Sequence, residues 1–333
     1  MTSGMHKIKG IIKSTPLLGR LIANMHGKYL YIKPGGHYWE YDFKAMQFDR
    51  YIRKLSSLIG DKKYDVCTSG NGNIQIILKN GIRFWWVAKD TFSLLGMPFR
   101  GSFEPDCTDI ITKLVKQGDT AFDIGANFGW HSCHLAQLVG KEGRVHVFEP
   151  TNVIKELENN LILNGLRTRC VLNQLALGEK EGDESLFIPQ KLGTAFASFR
   201  AHSYSNSIKW DEISVPVKKL DDYVFENKLN KLDFIKMDIG GAEYLALKGA
   251  ENVLENYSPI IMLELYDSHT KYFGYSPEEL RKYLEGLDYF LYEIDEKEIG
   301  SVKRVISFKD TSNYNFLAAK TEDVLTKNGI LIK

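Results

Sequence analysis

The chain is poor in cysteine: four residues, at 67, 107, 133 and 170, with no C-x-x-C pair among them. That scatter excludes a disulfide scaffold and a paired-cysteine zinc site, and it reads as reduced, packed thiols in a cytoplasmic protein. No His/Asp cluster has metal-ligand spacing either, so no metal is expected. Charge of one sign is also lacking. The 43 Lys and Arg nearly balance the 42 Asp and Glu, giving a formal net charge of +1, which leaves no electrostatic footprint for nucleic acid. No apolar run approaches the roughly 18 residues that span a bilayer. Lys13 and Arg20 interrupt the N-terminal apolar residues and no small-residue cleavage site follows them, so that stretch does not read as a signal peptide.

What is present is ordinary globular composition, 44% hydrophobic and 26% charged, in a length that suits one large α/β domain with an appendage. Residues 1–27 alternate Ile and Leu with Lys and Arg and are split by Pro16. They read as a helix docked on the domain or a frayed end, with a weak membrane-surface contact as the other reading. Residues 28–100 are rich in aromatics, with helical spacing over 47–59 and a hairpin predicted around Lys79-Asn80-Gly81. Residues 1–100 are therefore expected to form an α+β cap, and residues 101–333 the main domain.

The main domain is organised around Asp119 to Trp130. An apolar strand pattern ends at Asp123-Ile124-Gly125-Ala126-Asn127-Phe128-Gly129, and His131 to Val139 then reads as a helix stopped at Gly140. Strand, glycine turn and helix start together form a ligand-binding corner. The dinucleotide fingerprint G-x-G-x-x-G would need glycine at 127 and 130, where the chain has Asn127 and Trp130, so a pyrophosphate is disfavoured. Asp123 instead suits a ligand with a cationic end, such as the amino group and sulfonium of S-adenosylmethionine. A tight turn with no ligand is the plainer reading of this stretch alone.

Further strands and helices alternate along the chain. Arg144 to Glu149 is a strand ending in a carboxylate, placed to accept hydrogen bonds from ribose hydroxyls. Thr151 is the expected N-cap of the next helix. Cys170 to Leu177 reads as a third strand, and strands at Leu186–Ile188 and Ile213–Val217 bracket a polar loop over 193–207 that covers or admits a substrate. Leu232 to Asp238 is another strand, breaking at Gly240-Gly241. Tyr244 to Leu254 reads as one helix, and Pro259 to Leu265 as a fifth strand. The pattern predicts a doubly wound, mostly parallel α/β sheet with an antiparallel end. Asp123, Glu149, Asp238 and Glu264 all fall at carboxyl ends of strands, where such sheets bind ligands.

Six ordered motifs resemble one family. Asp123-Ile-Gly-Ala-Asn-Phe-Gly-Trp, Val147-Phe-Glu-Pro, Asn160-Leu-Ile-Leu-Asn, Leu175-Ala-Leu-Gly, Leu220-Asp-Asp and Ile235-Lys-Met-Asp-Ile-Gly-Gly-Ala-Glu with Leu247-Lys-Gly-Ala look like the FkbM-type methyltransferases. The resemblance covers roughly residues 101–295. It implies a seven-stranded, Rossmann-like class I fold with S-adenosylmethionine as cofactor, and methylation of a small-molecule or glycan hydroxyl. By position it implies that Asp123, Gly125, Ala126, Asn127 and Gly129 line the methionine end. It also implies that Glu149 holds the ribose, that Ala176 lies by the adenine, and that Asp238 sits between cofactor amine and substrate. Where the family usually reads D-x-E-G-A-E, this chain has Gly240 in place of the first glutamate, and Glu243 is retained.

Methyl transfer to a hydroxyl requires removal of its proton. The candidate bases are Asp238, Glu264 and His269, with Glu243 behind them; His131 and His134 read as structural. The expected activity is that of an O-methyltransferase acting on a sugar, glycan or related natural product. The alternative is a catalytically impaired cofactor- or glycan-binding protein on the same fold, motivated by Gly240. A nicotinamide-dependent dehydrogenase is a distant third.

Overall fold

The computed structural model describes residues 104–190, 193–201 and 209–333, together with the N-terminal segments 29–32, 38–41, 64–68 and 74–85. The basic-apolar piece over 1–27, the helix expected over 47–59 and part of the 193–207 loop lie outside the described residues. The chain divides into two compact units, and each is described by itself.

The first unit holds β1 (Tyr29–Ile32) paired antiparallel with β2 (Tyr38–Tyr41). It also holds an antiparallel sheet of β3 (Tyr64–Thr68), β4 (Ile74–Leu78) and β5 (Arg83–Trp85). The predicted hairpin joins β4 to β5. The Ile82 N–H donates to the Asn80 side-chain oxygen at 3.2 Å and the Leu78 N–H to the Ile82 carbonyl at 2.8 Å, the local pairing that makes Asn-Gly a turn former.

The second unit alternates strands and helices. It begins with α1 (Pro105–Leu114), β6 (Thr120–Ile124), α2 (Trp130–Leu138), β7 (Arg144–Phe148), α3 (Ile154–Leu163) and β8 (Cys170–Asn173). There follow β9 (Ala176–Leu177), β10 (Gly182–Pro189), β11 (Trp210–Lys218), α4 (Leu220–Glu226), β12 (Phe234–Met237), α5 (Glu243–Lys248), α6 (Glu251–Tyr257) and β13 (Ile260–Glu264). The unit ends with α7 (Asp267–Thr270), α8 (Pro277–Gly286), β14 (Phe290–Ile294), β15 (Ser301–Arg304), β16 (Asn315–Ala319), α9 (Glu322–Thr326) and β17 (Leu331–Ile332).

The main sheet has the order β17-β15-β14-β16-β13-β12-β6-β7-β8. Strands β8, β7, β6, β12 and β13 are parallel to their neighbours, and β16 runs antiparallel between β13 and β14. This is the doubly wound, mostly parallel α/β sheet that the alternation predicts, widened from seven strands to nine by β15 and β17 at one edge. The central strands read as continuous apolar runs because both faces are buried; every residue of β12 is buried. From β6 the chain steps outward to β7 and β8, then returns to the other side of β6 at β12. The β6/β12 boundary is thus the switch point, outside whose carboxyl end a ligand crevice opens.

Three local expectations are corrected. The third strand stops at Asn173, and Ala176-Leu177 leaves to pair in parallel with β11 in a separate three-stranded sheet. The helix expected from Tyr244 to Leu254 is two helices. Asp221 ends the first by donating its N–H to the Gly249 carbonyl at 2.9 Å, and its carboxylate accepts from Asn252 and Val253 N–H at 3.1 and 2.9 Å to start the second. Finally, α3 begins at Ile154 with Val153 as N-cap, not Thr151, because Thr151 is recruited to Glu149. By contrast, α8 is capped by its own sequence, with Ser276 and Glu279 forming a reciprocal capping box.

Candidate active site

The corner after β6 is built from buried apolar packing below and carboxylates above. Phe122 and Phe148 pack on Tyr223 beneath the rim, which fixes the ends of β6 and β7. Tyr223 also hydrogen-bonds His146 at 2.7 Å, and burial lowers the His146 imidazole to about 4, so it stays neutral. Gly125 has φ +80°, and a β-carbon there would overlap the Asp238 carbonyl oxygen. Only glycine lets the β6 turn and the β12 turn cross this closely.

The turn spends its backbone donors internally. Gly125 and Ala126 N–H donate to the Phe148 carbonyl at 2.9 and 3.2 Å, Gly129 N–H to the Ala126 carbonyl at 2.9 Å, and Asn127 N–H to Glu149 Oε2 at 2.8 Å. The corner therefore does not present those N–H groups as a phosphate nest; it presents carboxylates. Asp123 is fully buried, with Oδ2 accepting from the Ser132 hydroxyl at 2.5 Å and Oδ1 left without a hydrogen-bond partner among the described residues. Glu149 Oε1 accepts from the Thr151 N–H at 2.9 Å and hydroxyl at 2.7 Å. A carboxylate has about four acceptor positions, so one on Oε2 remains for a ligand hydroxyl. Burial raises the Glu149 carboxyl above its ordinary value, opposed by these bonds.

Across the switch point, β12 carries Lys236 opposite Asp123 in register. The Lys236 ammonium is buried and lies 3.1 Å from Asp238 Oδ2. Burial alone would lower it, but Asp238, Asp123 and Glu104 more than offset that and hold it raised, so it stays charged. Burial likewise works to raise Asp238, and Lys236 outweighs it, leaving Asp238 below the usual carboxylate range. Glu264, at the end of β13, goes the other way. Burial and the adjacent Asp238 push it well up, toward the protonated form that donates a hydrogen bond to Asp238. Side-chain oxygens of Glu104, Asp238 and Glu264 all lie within 4.8 Å of one another. That spacing also suits a cation, although Lys236 already stands beside the group.

The remaining expected residues are placed as follows. Glu243 is buried at the start of α5. Its Oε1 accepts from Ile239 and Gly241 N–H at 3.0 and 3.2 Å, and Oε2 lies 3.3 Å from the Tyr275 hydroxyl, so it staples the turn from below. His269 sits on α7 with its ring 4.9 Å from that of Tyr266, which stacks on Tyr314 at 4.1 Å. Ala176 is packed in a small core with Leu186, Phe199, Val215, Val217 and Ala242. Gly240, at φ +63°, accepts a hydrogen bond from the Ser198 hydroxyl at 3.0 Å, which ties the β12 turn to the β10–β11 loop.

Residues 123–291, half of the chain, match the methyltransferase FkbM domain model. The chain belongs to the FkbM methyltransferase family. Its methyl donor is S-adenosylmethionine, and all the residues expected from the sequence fall inside the matched stretch. The chain is 25% identical over 185 residues to the hexuronic acid methyltransferase AglP of Haloferax volcanii, covering 54% of this chain and 67% of that protein. It is also similar to a solved FkbM methyltransferase from Methylobacillus flagellatus, at 15% identity, 82% and 60% coverage of this chain and that one, and a TM-score of 0.37. The O-methyltransferase TomG of Streptomyces achromogenes, solved with S-adenosylmethionine, is 12% identical with 65% and 78% coverage and a TM-score of 0.37.

The donor set fits this cofactor chemically. An acceptor-rich corner with a bare buried Asp123 oxygen, a free position on Glu149 and a backbone crossing at Gly125 suits a ligand with cationic and hydroxyl groups. Two members of the rim escaped the sequence reading. Lys236 had a signal, as a lone charge inside the apolar run Phe-Ile-Lys-Met. Glu104 had none beyond being an acid before Pro105. Its carboxylate reaches the site by contact with His131 Nε2 at 2.9 Å, 27 residues away.

Proposed function

We propose that this methyltransferase acts on oxygen, transferring the methyl group to a hydroxyl of a sugar, glycan or related natural product. The observation that carries this reading is the placement of Asp238 at the switch point, 3.1 Å from the buried Lys236 ammonium and within 4.8 Å of Glu264, where Lys236 draws it below the usual carboxylate range while burial pushes Glu264 well above it. In such a pair Glu264 and Lys236 hold the Asp238 carboxylate in place, and its remaining acceptor positions take a hydrogen bond from a substrate hydroxyl and orient it. The likeness to a hexuronic acid methyltransferase supports a sugar.

In this reading Asp123, Gly125, Ala126, Asn127 and Gly129 cradle the methionine end of the cofactor, and Glu149 takes a ribose hydroxyl. Bound there, S-adenosylmethionine supplies an electrophilic methyl group on a sulfonium. Asp238 receives the acceptor's proton as the oxygen–carbon bond forms. Lys236 holds Asp238 in the form that can receive it. His269, against Tyr266, stands as the second base, and Glu243 supports the turn with both oxygens already engaged.

The test measures S-adenosylhomocysteine release by the full chain with methyl hexosides and methyl hexuronides as acceptors. Methyl transfer to at least one of these hydroxyl acceptors is expected, with kcat falling about 10²- to 10⁴-fold in Asp238→Asn while S-adenosylmethionine still binds. Full turnover in that variant, or methylation confined to nitrogen acceptors, would overturn the reading.

A further inference from the structure

We infer that Glu104 completes a cation-binding nest for the methionine end of the cofactor, from outside the stretch that carries the family's motifs. The inference rests on the cofactor assignment above and adds a binding residue to it.

The first support is a charge count. Around the β6/β12 switch point stand the carboxyl groups of Glu104, Asp123, Asp238 and Glu264, the last pushed well above its ordinary value by burial and by Asp238. Opposing them among the described residues is the ammonium of Lys236. Even a protonated His131, 2.9 Å from Glu104, leaves an excess of negative charge. Asp123 and Lys236 are buried, the Glu104 side chain is 17% exposed and that of Asp238 32%, so water screens that excess only in part. A site of this kind is stabilised by the arrival of a cation. The methionine end of S-adenosylmethionine brings an ammonium and a sulfonium against one carboxylate.

The second support is independent of the count. Asp123 Oδ1 is fully buried and has no hydrogen-bond partner among the described residues. A buried acceptor left bare by the protein has a free position for an outside donor, a ligand or a bound water.

The third is the conformation of Glu104 itself. It occupies the N-cap position of α1. Its side chain makes no capping bond, and its backbone adopts φ 44°, ψ 66°, a left-handed conformation that non-glycine residues seldom take. The side chain turns instead to His131, in the first turn of α2, and to the rim. His131 acts as the positioning residue that holds the carboxylate there.

The experiment is calorimetric titration of the full chain, wild type, Glu104→Gln and Glu104→Asp, with two probes. S-adenosylmethionine carries the cationic end; 5′-methylthioadenosine keeps the adenosine and a thioether but lacks the amino acid and the sulfonium. Glu104→Gln is expected to bind S-adenosylmethionine at least tenfold more weakly and 5′-methylthioadenosine within about twofold of wild type. Glu104→Asp, which keeps the charge, should fall between, and it serves alone if the Gln variant does not fold. Unchanged S-adenosylmethionine affinity in both variants, or equal weakening of both probes, would overturn the inference. So would a rise in wild-type melting temperature with Mg²⁺ or Ca²⁺ that Glu104→Gln abolishes, since the nest would then be a metal site. A wild-type chain that binds neither probe would defeat the cofactor assignment itself, a result separate from the loss of a Glu104 effect.

Discussion

Two corners of the sheet use one backbone device toward different ends. After β6 and after β12 the chain leaves an aspartate, passes through glycines at positive φ, and enters a helix. Each turn also sends backbone N–H groups onto a glutamate: Asn127 onto Glu149, and Ile239 with Gly241 onto Glu243. The corners differ in what they leave available. The β6 corner keeps a bare oxygen on Asp123 and one acceptor position on Glu149. At the β12 corner Asp238 is met by Lys236 and by Glu264, and Glu243 is sealed under Tyr275. The first corner is built to receive donors and positive charge; the second is built to control one proton.

The comparison breaks most severely at the point where the corners touch. Gly125→Ala places a methyl group against the Asp238 carbonyl and forces alanine into φ +80°. The expected loss is about 3–5 kcal/mol, the sum of left-handed strain and an overlap that only backbone movement relieves. Urea denaturation of the variant measures it. A loss below about 1 kcal/mol would show that the two turns need not cross closely to fold.

The next effect separates the two glutamates by pH. Burial raises the Glu243 carboxyl to about 7 from an ordinary 4.5. Below about pH 4.5 the residue is protonated whether folded or unfolded, and its favourable contribution is fully present. As pH rises from about 4.5 to about 7 the unfolded chain ionises first, and that contribution is lost. The loss is on the order of 3 kcal/mol. Glu243→Gln keeps an oxygen for the Ile239 and Gly241 N–H groups and removes the titration. The variant and the wild type should therefore match in stability near pH 4 and diverge in favour of the variant by pH 8. Parallel stability curves over that range would remove the proton from this staple.

How much of this was legible in the sequence depends on distance along the chain. The parallel strands were readable because burial on both faces leaves apolar runs broken by a single polar residue, such as Ala121 to Ile124 around Asp123 and Val145 to Phe148 around His146. The carboxylates at their ends were readable because each breaks such a run. Lys236 was readable on the same ground, since a charge inside a fully buried strand needs a partner, and its partner is the aspartate two residues on. Glu104 was not readable. Its role depends on α1 being set beside α2, and no local pattern encodes that. Strands β15 and β17 escaped for another reason: they are short edge strands, and the exposed Lys303, Arg304 and Leu331 give no alternation to detect. The split between α5 and α6 was hidden because Asp221, which makes it, lies about thirty residues upstream.

The smallest effect tests the residue by which the second corner departs from its family. Gly240 sits at φ +63°, and an added β-carbon would lie 3.1 Å from the Ala197 carbonyl, tight but not overlapping. Gly240→Ala should cost only about 1 kcal/mol, mostly left-handed strain, and should leave S-adenosylmethionine binding within about threefold of wild type, because the added methyl group faces Ala197 and Ser198. Gly240→Glu adds a carboxylate on the side occupied by Ala197 and Ser198, where the Ser198 hydroxyl already binds the Gly240 carbonyl. In this chain the β10–β11 loop has taken the space beside that position, so restoring the acid should lower turnover with a hydroxyl acceptor and not raise it. A tenfold gain in S-adenosylhomocysteine release on Gly240→Glu would reverse that conclusion. The β12 corner would then be the impaired half of the pair, and the chain would fit a cofactor-binding protein that has lost catalytic efficiency.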